Sequence, residues 1–128
     1  MPFPVDIRFI EQTEQKLGAR FPLSFRYKML QDNGGEIEAL EDDWQLHPFL
    51  DSSDKRRLRR TCNDIVRETQ VMKSWSGWPP SAINIASNGC GDHLVFLRTD
   101  EGFGPEVYHW FHETGELTKV ADDFSKLI

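Results

Sequence analysis

Residues 83–97, INIASNGCGDHLVFL, are the stretch that decides the fold. Ile83, Ile85 and Ser87 alternate with Asn84 and Ala86, which is the period of a β-strand. An apolar run returns at 93–97. The segment 88–92 between them, NGCGD, contains two glycines together with Asn and Asp, which are residue types that favour a tight turn. The pattern predicts a β-hairpin and therefore an antiparallel strand pair.

Four more strands are predicted, two before this hairpin and two after it. Before it, residues 37–40 and 44–50 are short apolar or aromatic runs, and the acidic segment Glu41-Asp42-Asp43 is predicted to be the turn that joins them. After it, residues 107–112 and 117–121 are predicted strands joined by a turn at 113–116.

The first predicted helix covers residues 6–17. Asp6 is a suitable N-cap and Gly18 a suitable stop. Ile7, Ile10 and Leu17 fall in one arc of this helix, which predicts a core-facing side. Glu14 falls in the same arc, so its carboxylate is expected to reach a hydrogen-bond donor, because a buried unpaired charge is costly.

Three further helices complete the pattern. Pro22 opens the second, and Asn33-Gly34-Gly35 ends it. The longest is predicted as one continuous helix over 54–73, and a short one covers 122–127. The predicted core positions of these helices recur at helical spacing: Phe25, Met29, Leu30, Leu58, Cys62, Ile65, Val66, Thr69 and Met72.

The order of these elements is helix, helix, strands, helix, strands and a closing helix. Such an order leaves too few helices to serve as crossovers between parallel strands. We therefore expect an α+β fold, a single domain over 1–128, with a mainly antiparallel sheet and helices packed on one face.

Charge is spread unevenly along the chain. The net charge is −6, yet five of the 15 basic residues lie in the hexamer 55–60, KRRLRR; outside it, 10 basic residues face 21 acidic ones, a balance of −11. Such a surface is expected to repel nucleic acid and anionic membranes and to attract basic partners. Arg56, Arg60 and Arg67 point away from the apolar helix face, so the hexamer is expected to radiate around the helix as a solvated face.

The expected location is the cytoplasm. Two cysteines, Cys62 and Cys90, do not make a disulfide framework, and reduced thiols are the expectation for an intracellular protein. The first residues carry no basic and apolar signal, and no stretch approaches the roughly 20 apolar residues of a membrane helix.

No catalytic, cofactor-binding or metal-binding residue is predicted. His109 and His112 are three apart on a predicted strand and should face opposite sides, so they should not share a metal. Cys90 lies beside Asp92 and His93, but neighbours on a strand alternate faces and do not form a nucleophile–base pair. We therefore expect a protein that is not an enzyme.

The predicted partner-binding surface is acidic. Five carboxylates lie within eight residues, a density that local folding does not require: Glu36, Glu38, Glu41, Asp42 and Asp43. Trp44, Trp75 or Trp78 is the predicted aromatic anchor beside them. The alternatives are a solvated turn for the carboxylates, a core position for Trp44 and a loop folded onto the core for Trp75 and Trp78. The expected partner is a basic protein.

Several segments, taken in order, resemble the SUKH superfamily, which contains the yeast Smi–Knr cell-wall regulators and many bacterial immunity proteins. They are EQKLG at 14–18, Phe21-Pro22, NGG at 33–35, IASNG at 85–89 with Gly91-Asp92, VYHW at 107–110, Val120-Ala121 and residues 124–127. The resemblance covers nearly the whole chain and is least evident over 51–80.

The resemblance implies an α+β fold, no enzyme activity and, for a bare domain, the role of a bacterial immunity protein that binds and neutralises a toxin, often a nuclease. Nuclease toxins tend to be basic, which suits the acidic balance of this chain. The alternatives are a regulatory or scaffold protein, or a nucleic-acid-associated protein that uses the helix at 55–60; an uncharacterised hydrolase ranks below these.

Overall fold

The computed structural model describes residues 2–128. Its helices are short and lie mostly in the first half of the chain: α1 Ile7–Leu17, α2 Leu23–Gln31, α3 Lys55–Arg60, α4 Ile65–Met72 and a closing 3₁₀ helix Phe124–Leu127. None of the helices in residues 2–128 has the length and apolar composition needed to cross a membrane.

The strands form one antiparallel sheet. They are β1 Gly35–Ala39, β2 Asp42–Leu46, β3 Ala82–Ser87, β4 His93–Thr99, β5 Gly102–Phe103, β6 Val107–Trp110 and β7 Leu117–Ala121. Their order in the sheet is β1-β2-β3-β4-β6-β7, and β5 pairs with β4 beside that path. Every pairing is antiparallel. The predicted α+β class, the antiparallel sheet and the 83–97 hairpin are confirmed.

The main core lies on the sheet face covered by α1, α2 and the 3₁₀ helix. At its centre Phe25 is fully buried, and its ring meets those of Phe96 and Phe124 nearly edge-on at 5.2 and 5.0 Å. On β4, Leu94 and Phe96 face this core while Val95 joins a second, smaller cluster. Because neighbours on a strand face opposite sides, the second cluster lies on the other face of the sheet.

Helix α1 begins and ends where predicted. The Asp6 carboxylate accepts a hydrogen bond from the Arg8 amide, and Gly18 adopts the left-handed conformation with φ 68°. The predicted core face is only partly right. Ile10 is fully buried, but Ile7 is 40% exposed, and the buried face passes through Phe9 instead. The helix therefore sits rotated from the arc predicted from its aliphatic residues.

The predicted helix over 54–73 is wrong, because it is two helices with a break at 61–64. The Thr61 hydroxyl donates to the Arg57 carbonyl at 2.8 Å and accepts from the Asp51 amide at 2.9 Å. Side-chain bonds of this kind compete with helix continuation. Leu58 is 42% exposed and Cys62 is exposed, so the predicted apolar face holds only within α4, where Ile65, Thr69 and Met72 are buried.

Candidate functional site

The predicted acidic surface lies on the first β-hairpin, residues 35–46, which we call the acidic hairpin. Glu36 and Glu38 are exposed on β1, and Asp43 is exposed on β2. The register places Glu38 directly opposite Asp43. Like charges in direct cross-strand opposition destabilise a sheet. The fold thus retains a local charge arrangement that opposes its own stability.

The turn of the acidic hairpin lies one or two residues before the predicted one. Leu40 and Glu41 form a two-residue turn with φ of 54° and 60°, while Asp42 and Asp43 already belong to β2. The predicted turn at 41–43 is therefore wrong in position. Positive φ is uncommon for residues other than glycine, and two-residue hairpins of this kind favour Asn-Gly. Leu40 is 55% exposed at the tip, an apolar residue that the sequence analysis did not select.

No basic side chain neutralises the acidic hairpin. Within residues 2–128, the ion pairs join other parts of the chain, and Glu36, Glu38, Glu41, Asp42 and Asp43 take part in none of them. All five are exposed. Their negative potential is therefore directed to solvent.

β1 is also an edge of the sheet, hydrogen-bonded to β2 alone. The outer N–H and C=O groups of an edge strand are open to pairing with another chain. The charged side chains Glu36 and Glu38 protect this edge from pairing with copies of itself. The same charges would favour a partner segment that carries lysine or arginine.

The three predicted tryptophan anchors have different environments. Trp44 is 1% exposed and its indole N–H donates to the Ala39 carbonyl at 2.9 Å, while Trp78 is 8% exposed and packs on Trp110 at 5.1 Å. Both belong to the interior, so they are not available as surface anchors. Trp75 is 51% exposed. Its loop packs against the turn between β6 and β7, where Gly77 and Gly115 are in close backbone contact. On the acidic hairpin itself, the exposed apolar residue is Leu40.

A histidine cluster lies next to the acidic hairpin. Asp92 accepts hydrogen bonds from His109 Nε2 at 2.9 Å, from His112 Nδ1 at 2.5 Å and from the His112 amide at 3.1 Å. The prediction that the two histidines lie apart on opposite faces is wrong, because β6 ends at Trp110 and the chain turns His112 back.

Asp92 remains ionised in this setting. Burial alone would raise the pKa of this carboxyl, but the hydrogen bonds from His112 and His109 hold the pKa below its ordinary value. Since both histidines direct a ring nitrogen at Asp92, those nitrogens are occupied as donors. In the part of the chain that the structure describes, no group of three or more His, Cys, Asp or Glu side chains is arranged to hold a metal ion.

Two contacts join this cluster to the acidic hairpin. The Asn88 side-chain amide donates to Asp42 Oδ2 at 3.1 Å, and the His109 ring meets the Trp44 indole edge-on at 5.7 Å. Asn88 also accepts from the Cys90 and Asp92 amides, which fixes the turn of the β3–β4 hairpin. The turn of the acidic hairpin and the turn of the β3–β4 hairpin therefore form one connected polar surface. Sequence spacing alone could not reveal this connection.

Of the other two histidines, His47 is buried and His93 is half-buried, with its ring bonded to the Asn84 side chain. His47 is 4% exposed, and neither ring nitrogen has a hydrogen-bond partner among residues 2–128. Burial lowers the pKa of His47 and of His93 to about 4, and the His93 ring, 6.5 Å away, adds to the shift at His47. Both are therefore neutral at physiological pH.

Comparison with protein families places the chain. The model described as SMI1 / KNR4 family (SUKH-1) matches residues 4–128, so the chain belongs to the SMI1/KNR4 family, and the resemblance predicted from its motifs is confirmed. A comparison with curated proteins gives no match. Membership of this family is consistent with a non-enzymatic immunity or regulatory domain.

Proposed function

We propose that this protein is a non-enzymatic, immunity-type protein that binds and neutralises a basic toxin domain, and that the acidic hairpin is its contact surface. The observation that carries the proposal is a set of five exposed carboxylates on one hairpin, none of which forms an ion pair, with Glu38 directly opposite Asp43. A basic partner would remove that repulsion on binding and would associate quickly by electrostatic attraction.

Leu40 supplies the apolar part of the proposed contact. It is 55% exposed at the tip of the turn, between the acidic ends of β1 and β2. Interfaces gain most of their affinity from a few desolvated apolar or aromatic contacts, while surrounding charges mainly set the association rate. Trp75 remains a second candidate anchor, for a partner large enough to reach the loop after α4.

The nucleophilic side chains and the histidines are engaged separately. In residues 2–128, neither cysteine thiol and no serine hydroxyl forms a hydrogen bond to a histidine. His109 and His112 are engaged with Asp92, and burial lowers the pKa of His47 and His93 to about 4. The histidines are thus held in structural contacts.

The experiment compares two variants with the same change in net charge. The test variant carries Glu41→Gln, Asp42→Asn and Asp43→Asn, and the control carries Glu11→Gln, Asp100→Asn and Glu101→Gln, which are exposed and lie outside the acidic hairpin and the Asp92 cluster. The probe is a basic toxin domain, sought first among the products of the neighbouring genes, and surface plasmon resonance is run at two salt concentrations.

We expect the test variant to associate about tenfold more slowly at low salt and to lose most of its salt dependence. At the higher salt concentration the control should stay within about twofold of the parent, since exposed charges beyond a Debye length from the interface are then screened. Equal effects from both variants would show that only net charge matters, and an unchanged association rate in the test variant would move the interface away from the acidic hairpin.

A further inference from the structure

We propose that the cleft between Phe3 and helix α3 binds a small organic phosphate of nucleotide size. We call this site the arginine cleft. The cleft lies at the base of the acidic hairpin, at the opposite end from the turn, and none of the five hairpin carboxylates lines it. The inference uses the basic hexamer 55–60, which the proposed toxin contact leaves without a role.

Three arginines of α3 converge on one aromatic ring. The guanidinium carbons of Arg56, Arg57 and Arg60 lie 5.4, 4.9 and 4.9 Å from the centre of the Phe3 ring. Arg56 and Arg60 are exposed, as a solvated face requires, but the prediction that the hexamer radiates without forming a patch is wrong for these three residues. Contact with an aromatic face stabilises each cation only modestly, and it leaves the N–H groups in the guanidinium plane free to donate.

The convergence also has an electrostatic cost. The three positive charges surround a single ring, so they lie within about one Debye length of each other, where salt screens repulsion only in part. In residues 2–128 none of the three forms an ion pair with a carboxylate. An anion with several oxygens would relieve this repulsion, and phosphate pairs with arginine through two parallel hydrogen bonds.

A cleft of about 240 Å³ opens beside these groups. Its lining includes Arg57 and Arg60 and an apolar part, which we call the apolar wall, formed by Pro2, Phe3 and Pro48. A phosphate alone would need only the arginines. The apolar wall favours a ligand that carries a flat or apolar body next to its phosphate.

The walls of the cleft are held in place by hydrogen bonds. The Phe3 carbonyl accepts from the Asn33 amide at 2.8 Å, which fixes the segment that carries the ring. Thr61, which joins Arg57 to Asp51, fixes the end of α3. The arginine cleft is therefore a preorganised site, which lowers the entropy cost of binding.

Acidic groups near the cleft limit what it can bind. Asp51 lines it, and one oxygen of its carboxylate accepts from the Ser53 amide. Gly34 also lines the cleft, and its carbonyl accepts a hydrogen bond from the Lys28 ammonium, which adds a positive charge next to the cleft. The cleft stays net positive at its arginine side. The rest of the chain carries a balance of −11 outside the hexamer, which opposes a long polyanion more than a single small phosphate.

The test is isothermal titration calorimetry with three probes: ADP, inorganic phosphate and a single-stranded RNA dodecamer. The test variant is Arg57→Gln with Arg60→Gln. The matched control is Lys55→Gln with Arg59→Gln, which removes the same charge from the same helix but not from the Phe3 ring. Thermal melts of both variants check that the fold is kept.

We expect saturable one-to-one ADP binding that weakens at least about tenfold in the test variant and by less than about twofold in the control. ADP should bind more tightly than inorganic phosphate because of the apolar wall. The proposal is overturned by any of three results: no ADP binding at about 1 mM, equal losses in both variants, or RNA binding tighter than ADP. The last result would instead make α3 a nucleic-acid surface.

Discussion

At the scale of single residues, the carboxylate of Glu14 ties together three segments of the chain. It projects from α1, accepts a hydrogen bond from the Phe21 amide at 2.7 Å, and lies 3.4 Å from Arg26 Nε of α2. Glu14 is only 7% exposed. The expectation that this residue reaches a donor and holds the loop after α1 is confirmed, and its role is structural.

Replacing Glu14 with alanine should lower the free energy of unfolding by about 1–3 kcal/mol, because the Phe21 amide and Arg26 would lose their buried partner. Urea denaturation of Glu14→Ala and of the parent measures this. Glu11→Ala is the matched control: it lies on the exposed side of the same helix and should change stability by less than about 0.5 kcal/mol. Similar losses of stability in the two variants would show that the contacts of Glu14 with the Phe21 amide and Arg26 are not the cause.

The tryptophans give a second contrast between residues. Trp78→Ala should cost about 3–5 kcal/mol, since its indole fills the second cluster against Trp110, as large-to-small changes in a core do. Trp75→Ala should cost less than about 1 kcal/mol, because half of its surface already faces water. Thermal melts of both variants decide this, and comparable destabilisation would mean that Trp75 also packs into the fold.

At the scale of elements, the acidic hairpin combines a strained turn with opposed charges. Leu40 and Glu41 both have positive φ although neither is glycine. Such conformations cost about 1 kcal/mol or more per residue and often occur at functional sites. The structure thus places an unfavourable turn at the tip of its most acidic surface.

Changing Leu40-Glu41 to Asn-Gly should therefore stabilise the fold by about 1 kcal/mol, because this pair suits a two-residue turn with both φ positive. If Leu40 contacts the partner, the same change should speed dissociation. Glu41→Gln is the control, since it removes the charge but keeps the strain, and it should leave stability nearly unchanged. Chemical denaturation and surface plasmon resonance give the two readouts. A loss of stability in the Asn-Gly variant would contradict the strained-turn interpretation.

Elements with local signals were predictable from the sequence. The bounds of α1 follow from Asp6 and Gly18, and β7 covers the residues predicted as a strand after the turn at 113–116. The break between α3 and α4 was not foreseen, although residues 61–64, TCND, contain the hydroxyl and carboxylate types that end or begin helices. The prediction followed the helical spacing of apolar residues, whereas in the structure the capping residues at 61–64 end one helix and begin the next.

The candidate sites were predictable only in part. Five carboxylates close in sequence indicated the acidic hairpin, because β1 and β2 are neighbours along the chain. The arginine cleft and the Asp92 cluster join residues far apart in sequence, and no local pattern encodes that Phe3 meets Arg60 or that His112 turns back to Asp92. Sequence spacing reports neighbours along an element, while these contacts depend on how elements pack.

At the scale of the whole molecule, charge is divided between two regions of opposite sign. The acidic hairpin lies at one edge of the sheet, while the guanidinium groups of α3 gather on Phe3. The family match over 4–128 includes both regions. The base of the acidic hairpin lines the arginine cleft, but none of the hairpin carboxylates does, so each proposed experiment changes charges that the other leaves in place.

Protonation of His47 and His93 links stability of the whole fold to pH. Burial lowers the pKa of His47 and of His93 to about 4 in the folded chain, against 6.5 when they are exposed. Between these values the unfolded chain binds more protons, so the free energy of unfolding falls as pH drops from 6.5 toward 4. The lowered pKa of Asp92 acts in the same direction at still lower pH, while the pKa of Asp64, which burial raises, opposes it.

We expect the parent to lose up to about 1.4 kcal/mol per pH unit for each of the two histidines between pH 6.5 and 4, and the two losses to add. Urea denaturation at pH 7 and pH 5 measures the difference. The variant His93→Gln should keep a smaller pH difference than the parent, whatever its stability at pH 7, since one of the two groups is gone. The measured quantity is the difference between two pH values, so a simple packing defect, which lowers stability equally at both, does not imitate it. A parent protein equally stable at pH 7 and pH 5 would mean that these rings reach solvent and take up protons without unfolding.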